Sequence, residues 1–169
     1  ATSALTPVSH ASILTGLANS RHGLQIMAGS GGFRLGEDIP TLANQLGMRL
    51  HVAPGQEIVC DAQAHVVRAE LGAAAAFSGI TTRTWDAPRG LLDPEQVRAF
   101  VRPDSGPYLV STTAIALENT HNFGGGTVQP LDRLQAVREI ADEAGLAVHL
   151  DGARLWNAHV ASGVPLAAY

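Results

Sequence analysis

Between Pro130 and Ala161 the chain spells out a helix, a glycine stop, an apolar strand and a second helix in direct succession. Leu131, Leu134, Val137, Ile140 and Ala144 recur every three to four residues, which puts them on one face of a helix over 130–144. Arg138 and Asp142 stand i,i+4 for a pair on its outer side, and Gly145 supplies the left-handed stop. Leu146–Leu150 is then a short apolar run, and Ala153–Ala161 reads as a helix again. Short apolar strands alternating with helices of about three turns need cover on both faces. Parallel strands joined by right-handed crossovers meet that need.

The same alternation begins upstream. Thr41 caps a helix carrying Leu42, Leu46 and Leu50, which Pro54-Gly55 stops. Glu57–Cys60 reads as a short strand, Leu71–Ser78 as a buried helix turn, and Ile80–Trp85 as a β-branched strand. Asp93, Pro94 and Gln96 have the cap, first-turn proline and third-position glutamine of a helix start, with Val97, Phe100 and Val101 as its stripe. Tyr108–Leu117 is a second β-rich run. Residues 1–40 carry only Arg21, Arg34, Glu37 and Asp38 as charges and show no period, so they stay unassigned. The fold class is α/β.

With 46% hydrophobic and 15% charged residues, 169 residues suffice for one core. All eleven basic side chains are arginine. The absence of lysine removes the phosphate-loop lysine and any side-chain amine for Schiff-base chemistry. A net charge of −4 without a basic stripe speaks against nucleic acid as a partner. Cys60 stands alone, so no internal disulfide forms, which suits a reducing cytoplasm. No apolar run approaches the ~18 residues of a membrane span, and no basic-then-apolar leader opens the chain.

Ligands of open α/β sheets sit beyond the carboxyl ends of the strands. Three clusters fall there: Asp61–His65, Glu118–Asn122 and Asp151–Arg154. Asp151 closes an apolar strand and either caps the next helix or pairs with a cation or protonated heterocycle. Arg154 offers a planar fork for a carboxylate or phosphate. His149, inside the strand, is expected to face the core or the opposite layer. Five polar residues, Glu118 to Asn122, precede Phe123 and three glycines, Gly124 to Gly126, which let backbone approach a ligand or simply flex. His65 after a strand suits a structural role as well as a ligand-facing one. Other signatures fail: the seven histidines form no HxxxH pair, residues 29–34 lack the third glycine of a dinucleotide fingerprint, and no GxSxG elbow occurs.

Taken in order, Thr41-Leu-Ala-Asn44, Pro54-Gly55, Asp61-Ala-Gln-Ala-His65, Gly72-Ala-Ala-Ala, Glu118-Asn-Thr-His-Asn122 and His149-Leu-Asp-Gly-Ala-Arg154-Leu-Trp-Asn157 resemble the low-specificity L-threonine aldolases over residues 41–161. These belong to the β-eliminating lyase group of the aspartate-aminotransferase-like fold and use pyridoxal 5'-phosphate. The resemblance implies an incomplete, mostly parallel three-layer sheet of that fold's large domain over 41–169. It implies retro-aldol cleavage of threonine or allo-threonine to glycine and acetaldehyde, without a required metal. Asp151 would face the pyridine nitrogen, His65 would stack on the ring, and Arg154 would hold the cofactor and substrate carboxylate region. Thr41 would contact the phosphate, and His121 would sit at the substrate β-hydroxyl as a base.

Two departures accompany the likeness. The family's Schiff-base lysine is expected some thirty residues past the Asp-Gly-Ala-Arg element, and Ile39-Pro40 stands where the family has Ser-Gly. This chain by itself is therefore expected to be inactive, and to self-associate through an unpaired sheet edge. The intact family works as a dimer of dimers. Two alternatives stand beside this reading: another β-eliminating amino-acid lyase on the same scaffold, and a non-catalytic truncated α/β module.

Overall fold

The structure, a computed structural model, describes residues 50–70 and 72–169. Its one sheet holds β1 (Glu57–Asp61), β2 (Thr81–Trp85), β3 (Thr112–Glu118) and β4 (Ala147–Asp151) in the order β2-β1-β3-β4. Every neighbouring pair is parallel. The helices are α1 (His65–Arg68), α2 (Ala73–Ser78), α3 (Pro94–Phe100), α4 (Leu131–Ala144) and α5 (Leu155–Ser162), with short 3-10 turns at Pro88–Gly90 and Leu166–Ala168.

Strand alternation sorts the core into two layers around the sheet. Val59, Ile115 and Leu117 bury against Val97 of α3 and Val137 and Ala141 of α4. Ile58, Cys60, Ala114 and Ala116 lie on the other face, where Val66 of α1 and Ala74 of α2 pack. Burial on both faces is why β1 and β3 read as continuous apolar runs instead of alternating ones. Their amino ends are fixed by Glu57, whose carboxylate takes both Nε and Nη2 of Arg83 at 3.0 and 2.9 Å and the Thr112 hydroxyl at 2.8 Å.

Local signals set most helix ends. The Asp93 carboxylate accepts the Glu95 N–H at 3.1 Å and Pro94 opens α3. Gln96 leaves the capping box unclosed, because its amide donates to the Asp86 carbonyl at 3.0 Å instead. In α4 Arg138 meets Asp142 at 2.6 Å, and Gly145 closes the helix at φ 67°. Two expectations need amendment. The β-rich run from Tyr108 becomes strand only at Thr112, since Gly106-Pro107 turns the chain and Tyr108 to Val110 stand exposed. The last helix begins at Leu155, after the Asp151 turn, and not at Ala153. The one-turn helix α1 has no periodic signature in sequence. Leu50 and His51 are helical, whereas Thr41, the remainder of its expected helix, residues 1–40 and Leu71 lie outside the described residues.

The connections position the site. After β1 the chain crosses to the α1–α2 face, and after β3 to the α4 face. Loops that diverge from adjacent parallel strands open a crevice at their carboxyl ends, here between β1 and β3. No helix among the described residues is long and apolar enough to cross a membrane.

Candidate functional site

Three adjacent strands end in carboxylates: Asp61 on β1, Glu118 on β3 and Asp151 on β4, with Glu118 and Asp151 in register. Asp61 and Glu118 are buried, and Asp151 is half-buried. Apolar strands carry these acids to one edge, where backbone donors from the following loops meet them.

Asp61 is matched by the Glu118–Asn122 loop. The Gly124 N–H donates to His121 Nδ1 at 3.0 Å, so that nitrogen carries no proton and Nε2 does. Nε2–H then donates to Asp61 Oδ1 at 3.0 Å. Asp61 also accepts the N–H groups of Gln63 at 2.8 Å and Ala87 at 3.0 Å. Burial pushes the Asp61 carboxyl up, but the His121 and backbone hydrogen bonds together hold it below the usual carboxylate value. The imidazole is 2% exposed. A Cβ on Gly90 would overlap its ring, and one on Gly124 would overlap the Arg89 carbonyl, so both glycines are needed for this close approach. Gln129 completes the seal: its side chain donates to Gly90 O at 2.7 Å and accepts from Leu92 N–H at 2.9 Å. Its own N–H donates to Asn119 Oδ1 at 3.1 Å.

Glu118 is shared among three segments. Oε2 accepts the His65 N–H at 3.0 Å, Oε1 accepts the Asn122 N–H at 2.9 Å, and Arg154 Nη1 lies 3.7 Å from Oε1. Asp151 Oδ1 accepts the Ala153 N–H at 3.0 Å and so turns the chain into α5. Its Oδ2 makes no hydrogen bond among the described residues. His65 pairs through Nε2 with Glu70 at 3.3 Å, and that bond raises its pKa against the opposing effect of burial.

A depression at this edge is lined by Ala64, His65, Ala116, Glu118, His149 and Asp151. Its lining comprises an imidazole whose buried Nδ1 has no partner among the described residues, a carboxylate with one oxygen unbonded among them, and two small alanines. Together with the Arg154 guanidinium nearby, these groups suit a flat protonated heteroaromatic ring bearing an anionic substituent.

Of the residues nominated from sequence, His65 and Asp151 line this depression, with Arg154 held against its Glu118 wall. His121 lies behind them against Asp61, and both its ring nitrogens are already bonded within the protein. Thr41 lies outside the described residues. His149 borders the depression, half-buried, on the sheet face that carries Ala116; it shares a strand face with Asp151 two residues on, and burial lowers its pKa. Sequence reading missed Gly90, Gln129 and the junction role of Glu118. Glu118 had one signal, an acid ending the apolar run Ile-Ala-Leu, whereas the other two had none.

The profile of the family described as "Beta-eliminating lyase" matches residues 40–169. The low specificity L-threonine aldolase of Saccharomyces cerevisiae is 37% identical over 132 residues, covering 76% of this chain and 33% of the yeast protein. That of Escherichia coli is 36% identical over 127 residues, covering 75% of this chain and 37% of the bacterial protein. The chain thus spans about a third of the length of these curated relatives. The structure of Leishmania major threonine aldolase superposes with a TM-score of 0.67 at 24% identity, over 75% of this chain and 36% of that one. Aspartate aminotransferase from Thermus thermophilus superposes at 0.50 with 22% identity, over 62% of this chain and 25% of that one. The fold is therefore aspartate-aminotransferase-like.

Proposed function

Since this chain belongs to the beta-eliminating lyase family, we propose that it forms part of a pyridoxal 5'-phosphate-dependent lyase cleaving threonine and allo-threonine to glycine and acetaldehyde. The observation that carries this reading is Asp151 at the β4 tip, one oxygen spent on the turn and the other spare, across a depression from His65. When bound, the cofactor supplies a cationic ring that draws electrons from the substrate Cα. Asp151 keeps the ring nitrogen protonated, because a carboxylate beside it favours the charged form. His65 packs against the ring face, and Arg154 holds the cofactor and substrate carboxylate region.

Cleavage breaks Cα–Cβ as the β-hydroxyl loses its proton, the Cβ–O bond becomes the acetaldehyde carbonyl, and Cα takes up a proton to complete glycine. His65 is the imidazole that borders the depression, and its pairing with Glu70 favours the protonated form it takes on as acceptor. His121 supports this from behind by fixing the loop through Asp61; for it to serve as the base, its Nδ1 must first leave Gly124. Thr41 contributes to phosphate binding. These 169 residues contain no lysine, so the amine that anchors the cofactor is not one of theirs.

The catalytic unit within this sequence is residues 41–169, and it assembles as a homotetramer in the cytoplasm. Exposed Trp156 and Val160 on α5 support an assembly surface, and the single buried thiol of Cys60 supports a reducing compartment. Acetaldehyde release from threonine by the full-length protein tests the reading. Release of phenol or indole from aromatic amino acids, without acetaldehyde, would replace it with another lyase on the same scaffold.

A further inference from the structure

We infer that Glu118 is a positioning residue: one buried carboxylate on a central strand sets the spacing of the three segments that carry His65, the His121 loop and Arg154. The bond to His65 spans 53 residues and does for α1 what its own cap cannot, since Ala64 has no side-chain acceptor for the orphaned first-turn N–H. The bond to Asn122 ties the opposite wall of the crevice to the same group. Arg154 approaches the oxygen that serves Asn122, at 3.7 Å, so its guanidinium is oriented by charge while its donors remain available. His121 Nε2 lies 3.9 Å from Glu118 but gives its proton to Asp61 at 3.0 Å, so Glu118 is left to the two amides and the arginine.

A glutamine cannot replace it. Gln offers one acceptor oxygen and turns its NH2 toward the other N–H, while aspartate is too short to reach both loops. No acid elsewhere among the described residues contacts all three segments. For the ligand-facing consequence, the inference rests on the assignment of His65 and Arg154 to a cofactor site; the backbone clamp itself does not.

The test uses hydrogen exchange on the full-length protein, wild type and Glu118→Gln. In the wild type, the His65 and Asn122 amides exchange about ten-fold or more slowly than that of Val66, which sits in the same first turn without an acceptor among the described residues. In E118Q one or both of these amides accelerate about ten-fold while the β3 amides stay unchanged. Pyridoxal 5'-phosphate added to E118Q is retained but gives a weaker induced circular-dichroism band, and this defect is not rescued by Glu118→Asp. Wild-type exchange at His65 equal to Val66 overturns the proposal, as does acceleration in E118Q shared equally by the β3 core. The wild-type comparison decides the matter even if the variants fail to fold. A wild-type protein that binds no pyridoxal 5'-phosphate defeats the functional assignment instead, and leaves the exchange readout to decide the clamp.

Discussion

His121 Nε2 lies 3.0 Å from Asp61 Oδ1, 60 residues away, and both side chains are sealed from solvent. Because Gly124 donates to the other ring nitrogen, this is a neutral imidazole with a fixed proton. Nitrogen-15 spectra of the full-length protein will show an unprotonated Nδ1 and a protonated Nε2 for this ring. His121→Ala costs about 3 kcal/mol or more, read from denaturant midpoints, since it leaves a buried carboxylate short of a donor beside a cavity.

The depressed pKa of Asp61 has a pH signature. Its contribution to stability is complete above the ordinary carboxylate value of 3.8 and is lost as pH falls through the lower folded-state value. Asp61→Asn therefore flattens the acid limb of the stability curve, and an unchanged limb would contradict the assigned bonds.

Gly90 is where backbone and ring meet most closely. With φ 67° and the His121 ring in the space of a Cβ, Gly90→Ala combines backbone strain with overlap and costs about 2–4 kcal/mol in thermal or denaturant unfolding. Gly163, also at positive φ but with open space around it, provides the control: Ala there costs only about 1 kcal/mol.

Asp151 separates fold from chemistry. Asn at this position keeps an oxygen for the Ala153 N–H, so Asp151→Asn unfolds within about 0.5 kcal/mol of wild type. On the proposed reading, activity of the full-length protein on threonine drops about 10²-fold or more, because an amide would not keep a cofactor ring nitrogen charged.

His65 titrates high because of Glu70. Stability from this pair is complete below the ordinary imidazole value of 6.5 and fades as pH rises through the folded-state value. In Glu70→Gln the His65 titration midpoint, followed by proton NMR, moves down toward the ordinary value, and the loss of stability as pH rises above 6.5 is reduced.

Much of this was legible in the residues alone. The period of Leu131 to Ala144, the Asp93-Pro94 start and the apolar run ending in Asp151 each report local geometry, because cap, stop and stripe lie within a few residues of one another. From them followed the α/β class, the parallel sheet and the three clusters at its carboxyl edge. The sheet order and the crevice between β1 and β3 came from tertiary structure, since a crossover's destination depends on which apolar faces meet. So did the inward turn of His121 onto Asp61, 60 residues away, the Gly90 contact and the span of Glu118, whose hydrogen-bond partners lie 4 and 53 residues from it. Periodicity carries no information over such distances. Only the packed sheet brings a carboxylate and its distant donors within 3 Å, and the cost of burying either one unpaired is what holds them there.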